Sequence, residues 1–184
     1  NMLLYIVGGI IAFIAMLSLI VCVYAFFKGT DDSVVLLERR TPLKLESLSE
    51  TEAVFSTEFP LVNRGNEDAA ILDIFPRPYL PQEQFDDATV YGHIESIDRR
   101  RKDNYFEAVM LKSRQEIMLI MTLRFVANKG LTIREAMEGM VDMDVAVYLN
   151  GSARKDIYVR KEFATFRAEE FRILTGGGAD DGKI

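Results

Sequence analysis

The 22 basic and 28 acidic residues of this 184-residue chain all lie at or beyond Lys28, so the first 27 positions form an uncharged apolar run. From Met2 to Phe27 it reads MLLYIVGGIIAFIAMLSLIVCVYAFF, which as a helix would extend about 39 Å at 1.5 Å per residue. A bilayer hydrocarbon core is about 30 Å thick, so the segment can cross with some tilt. A cleaved signal peptide would have a shorter apolar region of about 7–15 residues, preceded by positive charge and followed by a small-x-small site. This run has no positive residue before it and ends in Tyr24-Ala25-Phe26-Phe27, so a retained anchor is expected. Beyond it about one position in three is charged, as in a water-exposed domain. The expected organisation is a single N-terminal transmembrane helix over 1–28, one extramembrane domain over 29–174 and a flexible tail over 175–184. The tail sequence, TGGGADDGKI, has too little apolar content to pack.

The small residues of the apolar run are ordered. Gly8, Ala12, Ala15, Ser18, Cys22 and Ala25 follow one another at steps of 4, 3, 3, 4 and 3. A repeat close to 3.5 stays on one face of a left-handed helix pair, and small side chains let a second backbone approach where lipid gives no hydrophobic drive. These six residues are the expected interface with other transmembrane helices of a membrane protein complex. The plainer alternative is that Gly, Ala and Ser are common in any membrane helix. Tyr5 and Tyr24, with Phe26 and Phe27, fall where interfacial aromatic rings are expected in the lipid bilayer. Lys28, Arg39 and Arg40 follow the helix and by themselves favour a cytoplasmic domain. A cysteine-free all-β domain is common outside the cytoplasm, and the extracytoplasmic (periplasmic) side is the expectation.

The domain reads as a series of short strands. Ser33–Glu38 leads in from the membrane, and Ala53, Phe55, Phe59 and Leu61 alternate with polar residues. Asn63-Arg64-Gly65-Asn66 is turn chemistry. Ala69–Phe75 is a second strand, and the prolines of Pro76-Arg77-Pro78-Tyr79-Leu80-Pro81 imply an edge or an extended connection. Val90–Ile97 and Tyr105–Leu111 flank a charged hairpin end, and Ile117, Leu119, Met121, Leu123 and Phe125 mark the clearest strand. Thr132 and Glu135 form a capping box, opening a short helix whose Ile133, Ala136, Met137, Met140 and Val141 share a face. Met143–Leu149 leads to Asn150-Gly151, a hairpin signal, with a return strand over Ile157–Phe166 and a strand or short helix over Glu169–Leu174. The fold expected is an all-β sandwich with one crossover helix. Over Ser33–Leu174 it resembles immunoglobulin-like domains at the level of fold, although the Cys-Trp-Cys signature is absent and the chain contains no Trp.

Little in the sequence carries chemistry. Cys22 is the only cysteine and His93 the only histidine, which excludes a disulfide framework and a Cys/His zinc site. A net charge of -6 and a pI near 5.0 argue against nucleic acid as the main partner. His93 and Glu95 fall on one side of a strand and as a pair could act as a base, but an ordinary surface or salt-bridged histidine is the stronger reading. Asp31-Asp32, Asp86-Asp87 and Asp180-Asp181 lack calcium-loop spacing and read as solvated surface. Met110, Met118, Met121, Met137, Met140 and Met143 read as core rather than a copper site. Arg99, Arg100, Arg101 and Lys102 are the candidate contact for a partner or for lipid, against the simpler reading of a solvated loop. No cofactor is expected. The function expected is that of a non-catalytic accessory subunit of a larger membrane complex. The alternative is a membrane-tethered module binding a soluble protein, glycan or lipid.

Overall fold

The computed structural model describes residues 2–27, 29–101, 103–153 and 156–176. Met2–Phe27 is one helix, α1, whose apolar stretch Tyr5–Ala25 is long and apolar enough to cross a membrane. That stretch is 0% buried, so it is no core helix of the domain that follows. Among the described residues nine strands follow: β1 (Ser33–Val35), β2 (Lys44–Leu48), β3 (Glu52–Asn63), β4 (Ala69–Tyr79), β5 (Ala88–Ser96), β6 (Val109–Leu111), β7 (Glu116–Ala127), β8 (Met143–Ser152) and β9 (Ile157–Phe166). Two helices join them, α2 (Ile133–Glu138) between β7 and β8, and α3 (Ala168–Thr175) after β9. One antiparallel sheet has the order β1-β3-β7-β5, with β2 also on β3, and the other has the order β6-β4-β8-β9. The fold is a β-sandwich, with α2 crossing from the first sheet to the second.

The core lies between the inner faces. Phe55, Leu61, Leu119, Leu123 and Phe125 from the first sheet meet Ile71, Ile74, Val145 and Leu149 from the second, all essentially inaccessible. Phe171 of α3 plugs the end, with its ring 5.1 Å from both Phe55 and Phe125 in edge-on geometry. Thr132 and Glu135 form the capping box that starts α2, and the apolar face of α2 is buried as its spacing implies. Met121, Met137, Met140 and Met143 are core. Met110 and Met118 are not, being 60% and 36% exposed on the outer faces of their strands.

Prolines set the edges. The Pro60 carbonyl accepts from the Leu36 N–H at 2.9 Å. A strand residue turns its N–H and C=O to the same neighbour, so Pro60 offers that neighbour no donor and the ladder breaks. The edge strand is accordingly split: Ser33–Glu38 is not one strand but β1 followed by a 3-10 turn at Leu37–Arg39, and β2 resumes beyond it. Pro76 and Pro78 lie inside β4, not in a connection, and pair in register with Val147 and Val145 of β8. β6 covers the other side of β4 only at Ala69–Ile71, so two prolines spaced two apart direct their missing donors to a free edge. There the sheets approach. A Cβ on Gly92 of β5 would lie 2.9 Å from Pro76 Cγ, which accounts for glycine at that position.

Asn150-Gly151 is not a turn. Both residues lie in β8, paired with Val159 and Tyr158 of β9, and Gly151 leaves room for the Tyr158 ring, whose Cε2 would sit 2.7 Å from an added Cβ. Tyr105–Phe106 is not strand, and the segment after β5 crosses from one sheet to the other rather than closing a hairpin. Glu169–Leu174 is helical within α3, which runs through Thr175, 2% exposed and one residue past the limit drawn from the sequence. Gly176 caps it at φ 88°, a left-handed conformation that glycine adopts without penalty. Residues 177–184, which hold the rest of the expected tail and Asp180-Asp181, lie outside the described residues, as does Lys28.

The segment after α1 is strapped to the sandwich. Asp31 is not solvated surface, and Asp32 is half-exposed and ion-paired. Asp31 is 9% exposed and accepts from the Tyr158 hydroxyl at 2.5 Å, and Asp32 meets Arg160 Nη1 at 2.7 Å. Asn63, fully buried at the end of β3, accepts the N–H groups of Asp32 (3.1 Å) and Gly65 (2.9 Å) on its Oδ1. The turn after it donates back, Arg64 N–H to Asp32 O at 2.8 Å and Asn66 N–H to Thr30 O at 3.1 Å. Gly65 makes this approach possible, since a Cβ there would lie 2.6 Å from both Asp31 Cα and Asp32 N.

Two predictions follow from the strap. Gly65→Ala must push backbone against backbone and is expected to cost about 1–3 kcal/mol in denaturant unfolding. Gly139→Ala is the control: its backbone is right-handed and the nearest atom is 3.6 Å away, so the change should stay within about 0.5 kcal/mol. The second concerns alkali. Burial, then the hydrogen bond to Asp31, pushes the Tyr158 phenol up from 10.0 to about 12. Folding therefore favours the protonated phenol, and its stabilisation is complete below pH 10.0 and lost as pH rises through about 12. Tyr158→Phe should be weaker at neutral pH, because Asp31 loses its donor, and should show a shallower loss of stability across that alkaline window.

Candidate functional site

The outer face of the second sheet is unusually aromatic. Alternation along β4, β8 and β9 sends Ile74, Val147, Leu149, Ala164 and Phe166 inward, whereas Phe75, Tyr79, Ile157, Val159 and Phe163 stand 40–73% exposed. Register places Phe75, Tyr148 and Lys161 in one row across the strands and Arg77, Ala146 and Phe163 in the next. The Phe75 and Tyr148 rings stack at 5.2 Å and 9°, and the Tyr79 and Tyr148 hydroxyls are 3.3 Å apart. The ammonium of Lys161 sits 4.5 Å from the Phe163 ring centroid, 5.2 Å from Tyr148 and 5.6 Å from Tyr79. Its hydrogen bond to Tyr148 raises the Lys161 pKa. The Tyr148 phenol is lowered, first by its hydrogen bond with Tyr79 and then by that with Lys161. The face thus combines a wide aromatic surface with a lysine that stays charged.

A groove of about 520 Å³ borders this face, lined by Leu37, Arg40, Pro42, Phe163, Thr165 and Glu170. Arg40 forms its floor, pairing with Glu170 at 3.0 Å and lying 4.4 Å over the Phe166 ring. Phe163 belongs to both the groove and the face. Period-two placement of Phe75, Arg77 and Tyr79 is the sequence signal for this surface, and it runs past Phe75, where the strand expected from the sequence ends.

The other candidates are quieter. Arg99 faces Glu107 at 3.6 Å, Arg100 faces Glu95 at 3.6 Å and Arg101 chelates Asp103 at 2.6 Å, so each of these three charges is matched within the chain. Lys102 lies outside the described residues. Glu95, 2% exposed, also accepts the Arg101 N–H at 2.8 Å, which makes it the anchor of the loop. His93 Nε2 is 3.6 Å from Glu95, as the shared side of β5 implies. It lines a cleft of about 470 Å³ between β4 and β5, with Asp73, Phe75 and Tyr105. Burial lowers its pKa, Glu95 opposes this and Arg100 adds to it, so His93 is neutral at pH 7. The Glu95 carboxylate is shared among His93, Arg100 and the Arg101 N–H. Among the described residues no group of three His, Cys, Asp or Glu side chains is placed to hold a metal.

Gly8, Ala12, Ala15, Ser18, Cys22 and Ala25 are all exposed along α1. At 100° per residue they occupy an arc of roughly 140° on a straight helix. An added Cβ at Gly8 would meet nothing within 4 Å.

No family model matches the chain, and no curated protein is similar to it. Solved structures with weak similarity to the chain include the following three. The GAE domain of GGA2p from Saccharomyces cerevisiae is 8% identical over 74% of this chain and 99% of that one, with a TM-score of 0.35. The yeast GGA1 GAE domain is 10% identical over 67% and 97%, with a TM-score of 0.30. A protein from Archaeoglobus fulgidus is 9% identical over 75% and 96%, with a TM-score of 0.31. Scores this low carry no functional inference.

Because His93 is the only histidine, its titration can be followed by NMR without assignment. Its midpoint should fall below 6.5. Arg100→Ala should raise it and Glu95→Gln should lower it further. The sign for stability follows: folding favours the neutral ring, so this contribution is present above pH 6.5 and lost as pH falls through the depressed value.

Proposed function

We propose that the chain is a non-catalytic, single-pass accessory subunit of a larger membrane protein complex, with an immunoglobulin-like sandwich on the extracytoplasmic side. The observation that carries this reading is the strap. A free tether needs a flexible linker, whereas Thr30, Asp31 and Asp32 are bonded to the turn at Arg64–Asn66 and to β9. Such a junction suits a brace that holds its domain at a fixed height. The small-residue face of α1 would pack against neighbouring transmembrane helices.

The second reading, a membrane-tethered binding module, is favoured by the aromatic outer face of the second sheet. Large exposed apolar surfaces on soluble domains mark contact sites, and the aromatic and cationic side chains here suit a protein partner.

The two separate by mutation. Replacing Gly8, Ala15 and Cys22 with leucine keeps α1 apolar but holds a neighbouring helix away. A loss of about 1–2 kcal/mol of helix packing is expected, or roughly tenfold less complex after gentle detergent extraction. Ile10→Phe with Leu17→Phe, on the opposite face, should leave the yield unchanged. Tyr79→Ser with Phe163→Ser should matter little to a helix-docked subunit and abolish capture by a binding module. Undiminished co-purification of the leucine variant would overturn the accessory-subunit reading.

A further inference from the structure

We propose that the end of the sandwich next to α1 seats on anionic lipid headgroups through Arg64, Lys112 and Arg114. The proposal rests on the reading of α1 as a membrane span and extends it to how the domain meets the surface.

Connectivity fixes which end faces the bilayer. From Phe27 to Thr30 is three residues, at most about 11 Å of extended chain. Thr30 and Asp32 accept hydrogen bonds from Asn66 and Arg64, so this turn is held beside the membrane boundary. The turn between β6 and β7 lies against it: Ser113 N–H donates to Asp68 at 2.8 Å, Ser113 Oγ to Gly65 O at 3.0 Å, and Arg114 Nη2 to Asn66 Oδ1 at 2.7 Å. All three basic side chains are exposed. The separation is comparable to the Debye length of about 8 Å at physiological salt, within which each cation near an anionic bilayer is attracted.

The charges at this end are unequally spent. Among the described residues Arg64 and Lys112 take part in no ion pair, and Arg114 bonds a neutral amide. Of the nearby carboxylates, Asp32 and Glu116 are ion-paired, with Arg160 and Arg39; Asp31, buried, and Asp68 keep their charge, bonded to neutral donors, the Tyr158 hydroxyl and the Ser113 N–H. Glu67 is engaged too. Arg114 also holds φ 61°, a left-handed conformation that a long side chain adopts at a cost. Glycine would fit better there, and arginine supplies the outward charge.

The test uses the full chain in lipid nanodiscs, with Cys22→Ala and Ala153→Cys placing one fluorophore in the β8–β9 turn at the same end. Headgroup-attached quencher reports proximity. Discs of zwitterionic lipid are compared with discs containing about 30% anionic phospholipid. Quenching should be roughly twofold greater in the anionic discs at low salt and fall to the zwitterionic level when salt is raised about tenfold. Arg64→Gln with Lys112→Gln should abolish the difference. Arg114→Gly should reduce it while leaving thermal stability equal or higher, which loss of fold could not produce. Equal quenching in both discs would overturn the seat alone. A chain that does not enter discs would overturn the membrane span and the seat together. The lipid and salt arms keep all three basic residues, so they decide the matter even where a charge variant unfolds.

Discussion

The hydrogen bond from Tyr158 to Asp31 joins the two sheets at the side where both end in edge strands. β1 bounds one sheet and β9 the other, and the backbone between them carries no shared ladder. A buried carboxylate needs donors, and Asp31 receives one from across the sandwich while the backbone of its neighbours Thr30 and Asp32 is gripped by the turn after β3. The same contact therefore closes the fold and fixes the chain leaving α1. On the opposite side closure is steric, made by Pro76 and Pro78 against Gly92. One side is held by a bond that pH can break and the other by packing that pH does not touch.

This arrangement decides what kind of motion the domain can have. Linkers permit reorientation when their backbone groups are solvated. Here the carbonyls of Thr30 and Asp32 are both taken by the turn at Arg64–Asn66. Thr30 is thus bonded to the sandwich only three residues after the end of α1.

The sequence revealed the parts governed by local pattern. Period-two alternation located β3, β7 and β8, and the Thr132–Glu135 capping box located α2, because each is decided by neighbours within a few residues. The misses share a cause: they depend on what lies across the sheet. Asn150-Gly151 has the composition of a turn, but Tyr158 needed a glycine opposite its ring, and the turn moved to residues beyond Ser152. Pro76 and Pro78 look like breakers, yet a strand with one free edge tolerates missing donors on that edge. β2 was missed since KLESL alternates weakly and buries no side chain, its strand character coming from pairing with β3. The aromatic face was hidden because the expected strand stopped at Phe75, whereas β4 runs on to Tyr79. Asp31 and Asp32 read as solvated because their partners, Tyr158 and Arg160, lie more than a hundred residues away.

Charge shows the same limit most clearly. Four consecutive basic residues at 99–102 look like the strongest electrostatic feature in the sequence, and Arg64 and Lys112 look incidental. In the folded chain Glu107, Glu95 and Asp103 match Arg99, Arg100 and Arg101 in turn, so the run acts at short range as an internal lattice. Field at a distance comes from charges left unmatched, weighted by how near the fold holds them to their target. A single arginine bonded through its own backbone to the segment leaving α1 can outweigh a cluster that its own carboxylates have already neutralised.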